Sequence, residues 1–170
     1  MTLLEHQEDR EFLRLLFDNI IPFNRFLGIR SVEIGDGVVV LELPFRPEFI
    51  GNPVTRALHG GAISSILDPC GGLAVWSQIG LEDLVSTVDL RIDYLRPAVG
   101  DADLQAKGSV IRLGNRVGVV ELRAYFPGEE DHPVAVGTGV YNVKRNESSH
   151  SPGLREMIEN LQKATGSGRD

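Results

Sequence analysis

The spacing of apolar positions changes period along the chain, and each change predicts an element. From Thr2 to Asp18, Leu3, Leu4, Phe12, Leu15 and Leu16 recur among charges, the mark of an amphipathic helix. Ile20-Ile21-Pro22-Phe23 breaks it, and Asn24 to Gly28 reads as a short second turn ending on glycine. From Ile29 the period becomes two. Ile29 to Ile34 and Val38 to Phe45 flank Gly35-Asp36-Gly37, a hairpin pattern. Arg46 to Ala57 is loop-like, with Pro47, Gly51, Asn52 and Pro53.

Leu58 to Gln78 then returns to helical spacing. Ile63, Ile66, Leu67, Cys70, Leu73, Ala74 and Ser77 make the stripe that a buried helix face needs. Its flank carries Ser64, Asp68, Gly71, Gly72 and Val75, small residues with one carboxylate and one valine among them. Everything after it alternates. Leu84 to Leu95 sets Val88, Leu90, Ile92 and Tyr94 against Thr87, Asp89, Arg91 and Asp93. Ala102 to Leu113, Val117 to Phe126 and Val134 to Val143 follow with short connections, which implies antiparallel pairing. A lone apolar helix between the second and third strands must cover one face of that sheet. The expected fold class is therefore α+β, an antiparallel curled sheet wrapped around one long central helix. The expected division is an N-terminal helix over 1–21, one domain over 22–145 and a polar tail over 146–170. Within that tail Pro152 to Ala164 could form a short surface helix.

Composition narrows the function classes. At 170 residues the chain fits one domain with a real core. No apolar run reaches the ~18 residues of a membrane span. The start, MTLLEHQEDREF, has acids where an export signal needs a basic start and a long apolar segment, so a cytoplasmic location is expected. A net charge of −7 argues against nucleic-acid or membrane-surface partners. It leaves room for a polyanionic ligand held by a few local arginines. The single cysteine, Cys70, lies on the apolar stripe and reads as core. His6, His59, His132 and His150 lack ligand spacing, so no metal is expected.

The candidate chemistry sits on the central helix. Gly60 and Gly61 have two readings: a tight turn into the helix, or open amides at a helix N-terminus that can hold a negatively charged oxygen. His59 beside them could meet a substrate or fix the loop. Asp68, among apolar and small neighbours, is a candidate base or nucleophile. Pro69 follows it and should kink the helix there. Eight residues separate Gly60 from Asp68, about 12 Å along a helix. One carbonyl cannot lie within ~3 Å of both. If both act, two antiparallel helices must share each site, and the working form is at least a dimer.

His59-Gly60-Gly61, Asp68 nine positions after the histidine, Val85-Ser86-Thr87-Val88-Asp89-Leu90 and Tyr94-Leu95-Arg96-Pro97 resemble the hotdog-fold acyl-CoA thioesterases of the PaaI type, the YigI-like members above all. The resemblance runs from about Pro22 to Lys144. It implies a hotdog homodimer, often paired into a homotetramer, that hydrolyses acyl-CoA without a metal or cofactor, coenzyme A being part of the substrate. Carried over, Asp68 would be the base or nucleophile, the Gly60 amide the oxyanion donor, and His59 would shape that pocket. Thr87 would orient the water or the acid, although strict alternation puts it on the polar side of its strand. Asn52 would be the loop asparagine, here seven residues before the histidine where the family pattern has six. Gly61 with Arg91, Arg112 and Arg116 would bind substrate, the arginines (Arg96 also a candidate) meeting the phosphates. Phe23, Phe26 and Leu27, or Phe49 and Ile50, could line an acyl slot. The alternatives are a hotdog enoyl-CoA hydratase or dehydratase, and a non-catalytic acyl-CoA-binding protein.

Overall fold

A computed structural model describes residues 7–79, 81 and 83–145. Residues 2–6 of the expected N-terminal helix and the helix expected at 152–164 lie outside the described residues. The chain opens with α1 (Gln7–Leu15), which continues into a π-helical turn, Leu16–Ile20, closed by the Ile21 amide on the Leu16 carbonyl. Pro22 at the first position then starts α2 (Pro22–Leu27), and Gly28 ends it at φ 76°, a left-handed conformation that glycine takes without strain.

The hairpin expected around Gly35-Asp36-Gly37 is β1 (Arg30–Ile34) and β2 (Val38–Leu43). The stretch read as a loop holds a 3-10 turn, Pro47–Phe49, and two short paired strands, β3 (Ile50–Asn52) and β4 (Ala57–Leu58). Two and three residues are too few to show a period, so no pattern announced them. After them come α3 (Gly60–Trp76), β5 (Leu84–Tyr94), β6 (Leu104–Leu113), β7 (Val117–Tyr125) and β8 (Ala135–Lys144). Six strands form one antiparallel sheet in the order β1-β2-β6-β7-β8-β5.

α3 lies across this sheet and buries the expected stripe: Ile66, Leu67, Cys70, Leu73 and Ala74 are fully enclosed. Cys70 is core, its thiol directed at the Ala106 and Val39 carbonyls, 3.3 and 3.6 Å away. Burial pushes that thiol up to about 12. Two residues assigned to the flank prove buried instead. Val75 packs against β7 at Gly118, and Gly71 receives the ring of Tyr141 from β8. The helix also runs unbroken through Pro69.

The two edges of the sheet differ. At the β1 edge, Asp18 accepts from the Ser31 amide at 2.9 Å and from its hydroxyl at 2.6 Å, while Arg14 donates to the Ser31 carbonyl. One turn of helix thus satisfies both outward main-chain groups of an edge residue. At the other edge, no strand among the described residues pairs the outer side of β5.

β5 corrects the alternation. Thr87 pairs with Tyr141 and Asp89 with Val140, so Val88 is an extra residue, a β-bulge. The bulge turns Val88 outward, 65% exposed, and lets Thr87 share the helix-facing side with Leu90 and Ile92. Strict period two had put Thr87 on the opposite side.

Candidate active site

α3 carries Asp68 at its middle, half-buried, facing the mouth of β5. Thr87 donates its hydroxyl to Asp68 Oδ1 at 2.8 Å. From the other side Tyr141 donates its hydroxyl to the Asp68 main-chain carbonyl at 3.0 Å. That phenol is fully buried and its ionisation is pushed far up, first by burial and then by the Asp68 carboxylate. Tyr141 therefore stays a neutral donor. Pro69 has no amide to give the Ser65 carbonyl one turn earlier, so this turn is held from the sheet as well as by its own ladder.

The head of α3 is built differently. His59 is the N-cap, and its Nδ1 accepts from the Gly61 amide at 2.8 Å. Accepting at Nδ1 leaves the neutral ring's proton on Nε2. Of the two readings of His59, a substrate contact or a fixed loop, the structure shows a loop contact, made by accepting from an amide. Tyr94 donates to the Gly60 carbonyl at 3.0 Å. The Gly61 amide being engaged, the Gly60 amide at the first helical position has no acceptor among the described residues.

The remaining expected residues scatter. Asn52 folds its side-chain oxygen back onto the Val54 and Thr55 amides, 3.0 and 3.2 Å, closing its own loop. Arg91 lies on the side of β5 away from α3 and pairs with Asp93 at 3.1 Å. Arg96 pairs with Glu129 at 2.7 Å and donates to the His132 carbonyl. Arg112, at the end of β6, and Arg116, in the following turn, carry no ion pair among the described residues. Leu27 and Phe49 are core, and Arg46 sits over the Phe49 ring at 4.3 Å.

A cleft of about 570 Å³ opens along the Asp68 face of α3. Asp68 and Thr87 form its middle, and Gly72, Trp76, Phe17 and Phe23 its apolar wall. Of the expected acyl-slot residues, Phe23 alone lies in it. Tyr141, Trp76 and Phe17 went unassigned as site residues, because aromatic residues at buried or half-buried positions look like ordinary core, and Tyr94, though exposed, stood out only as part of a strand and its motif. Gly71 was the available signal: a glycine inside a helix costs ~1 kcal/mol against alanine unless something occupies its missing side chain. Among the described residues no cluster of three or more His, Cys, Asp or Glu side chains could hold a metal, and no helix is long and apolar enough to cross a membrane.

The family model described as thioesterase superfamily matches residues 56–130, from the end of the loop through α3, β5, β6 and β7. The medium/long-chain acyl-CoA thioesterase YigI of Escherichia coli is 34% identical over 136 residues, covering 72% of this chain and 86% of YigI. The chain belongs to the thioesterase superfamily. Among solved structures, a protein from Shewanella oneidensis related to this superfamily superposes with a TM-score of 0.70 at 33% identity, covering 79% of this chain and 95% of that one. The Escherichia coli PaaI protein shares the fold, with a TM-score of 0.65 at 23% identity over 75% of this chain and 86% of PaaI. This thioesterase-superfamily chain thus has the hotdog architecture that its motifs implied, and the YigI-like resemblance stands.

Proposed function

We propose that this thioester hydrolase acts on acyl-CoA, with Asp68 as general base at a site completed by a second copy of the chain. The observation that carries the reading is the Asp68–Thr87 pair, set in the wall of an apolar cleft on the same helix whose head leaves the Gly60 amide open. YigI, by its name, hydrolyses medium and long acyl-CoA thioesters, which supports the substrate class.

Thr87 directs the carboxylate, and Asp68 takes a proton from water as its oxygen attacks the thioester carbonyl. The carbonyl oxygen becomes an oxyanion and accepts from the Gly60 amide of the other copy. The carbon–sulfur bond then breaks, and the proton passes from Asp68 to the departing thiolate. The acid and coenzyme A leave. His59 holds the head of the helix in register. Asn52, its oxygen spent on the loop, has its NH2 group to offer. Arg112 and Arg116, without an ion pair among the described residues, are the candidates for the phosphates of coenzyme A.

The second copy follows from the ~12 Å between Gly60 and Asp68 along one helix. The open edge of β5, with Val88, Tyr94 and Leu95 exposed by 65, 52 and 56%, is the surface through which it would join. The test is thiol release from a panel of acyl-CoAs. Wild type should release coenzyme A, and Asp68→Asn should lose at least about a hundredfold in kcat while keeping its fold. A folded Asp68→Asn variant with undiminished turnover would sink the reading. Binding without release, or water addition to an enoyl-CoA in place of release, would move the chain to another class.

A further inference from the structure

The cleft has a direction. Along α3 its wall passes from Ser65 to Asp68, Gly72 and Trp76, while β5 runs the other way, from Leu90 through Thr87 to Val85. Asp68 and Thr87 therefore sit midway, and the branch beyond them ends at Trp76. That branch is eight residues long on the helix, about 12 Å. Trp76 is fixed at its end by two contacts. Its Nε1 donates to the Asp83 carbonyl at 3.1 Å, and its ring meets Phe17 edge-on, 6.1 Å between centroids.

The two adjacent glycines of α3 contrast sharply. A Cβ at Gly71 would overlap the Tyr141 phenol, so packing demands glycine there. A Cβ at Gly72 would meet nothing closer than the Tyr141 ring at 3.7 Å, an ordinary contact. Packing tolerates a side chain at 72, yet the position lines the cleft between Asp68 and Trp76 with none.

We propose that the branch from Asp68 to Trp76 is the acyl slot, that Gly72 keeps it open, and that Trp76 braced by Phe17 is its floor, setting the length of linear acyl chain accepted. This rests on the acyl-CoA thioesterase reading and adds the residues that choose among acyl chains. A chain whose end stops at an indole cannot lengthen without displacing it, and a side chain at 72 would block the path.

The test compares kcat/KM for acetyl-, octanoyl- and palmitoyl-CoA in wild type, Trp76→Ala and Gly72→Leu. Trp76→Ala should raise the palmitoyl-to-octanoyl ratio about tenfold or more, and Gly72→Leu should lower the octanoyl-to-acetyl ratio by a similar factor. An unchanged ratio in folded Trp76→Ala overturns the floor. If that variant fails to fold, Trp76→Phe takes its place and should shift the same ratio in the same direction. An unchanged ratio in Gly72→Leu overturns the slot. Trp76 is the chain's one tryptophan, which adds a readout free of turnover. In the Asp68→Asn background, octanoyl-CoA should alter its emission and coenzyme A alone should not; equal responses count against the proposal. Failure of wild type to release thiol from any of the three substrates sinks the thioesterase reading itself, a result distinct from unchanged ratios in an active enzyme.

Discussion

Tyr141 reaches from β8 across the interior to the main-chain carbonyl of Asp68, and the two are joined at 3.0 Å. The contact ties the turn that carries the acid to β8, the strand beside β5 in the sheet. It is possible because Gly71 has no side chain where the phenol lies. Asp68 is thereby held twice, at its carboxylate by Thr87 and at its backbone by Tyr141.

Gly71→Ala should therefore be costly for so small a change. The added methyl group must displace a buried phenol and break its hydrogen bond, which together cost about 3 kcal/mol or more. Urea unfolding checks this, read as a lower midpoint at unchanged slope. A loss below ~1 kcal/mol would mean that the phenol has another place to go.

In the proposed mechanism Thr87 acts through the hydroxyl it donates to Asp68. Thr87→Val keeps the shape and removes the donor, and should lower kcat about tenfold with little change in KM. Thr87→Ser, which retains the hydroxyl, should recover most of that rate. Equal losses in both variants would point to packing in place of the hydrogen bond.

Proline at Gly60 deletes the amide and shifts the Tyr94 phenol, whose ring lies 3.2 Å from where the new Cβ would stand. Proline suits the first helical position, and His59 at φ −66° and ψ 134° is already in the extended region that a following proline requires. Gly60→Pro should lose about 10²–10³ in kcat as the oxyanion donor disappears. Mixed with Asp68→Asn under conditions of subunit exchange, it should recover activity, because one of the two sites in each mixed pair is intact. Absence of recovery despite demonstrated exchange would place both groups in one copy.

Stability should decline in alkali. Cys70 is raised to about 12 and Tyr141 is raised as well, both chiefly by burial. A raised group favours the fold fully below its unfolded pKa and loses that contribution as pH climbs toward the folded one. The loss should begin near pH 9, the ordinary thiol value, and continue to about pH 12, each group adding up to ~1.4 kcal/mol per pH unit. Thermal unfolding across pH 8 to 11 measures it. The same burial should leave Cys70 silent to a thiol reagent until the protein unfolds, so the release assay carries no background from it.

How much of this could be read from residues alone depended on the range of the interaction involved. The stripe from Ile63 to Ala74 was legible because a buried helix face repeats within a few residues. Asp68 stood out by the same pattern, as the one acid on an apolar segment. Thr87 was assigned to the wrong side, because the extra residue at Val88 leaves no mark: valine suits either side of a strand. Gly71 and Val75 looked like a flank because their partners, Tyr141 and Gly118, lie far along the chain. The π turn at Leu16–Ile20, which brings Phe17 to Trp76, likewise answers to tertiary packing.

The grip of Arg14 and Asp18 on Ser31 has a consequence for assembly. Strand addition is a growth reaction that needs a free edge at both ends of the growing sheet to continue. Here Arg14 and Asp18 engage the Ser31 main chain at one edge, and at the other no strand among the described residues pairs the outer side of β5. Joining through β5, as proposed, would use that edge in each copy and leave the two Ser31 edges facing outward. A further strand laid along β1 would then find both main-chain groups of Ser31 already taken, by the segment whose Phe17 also lines the cleft.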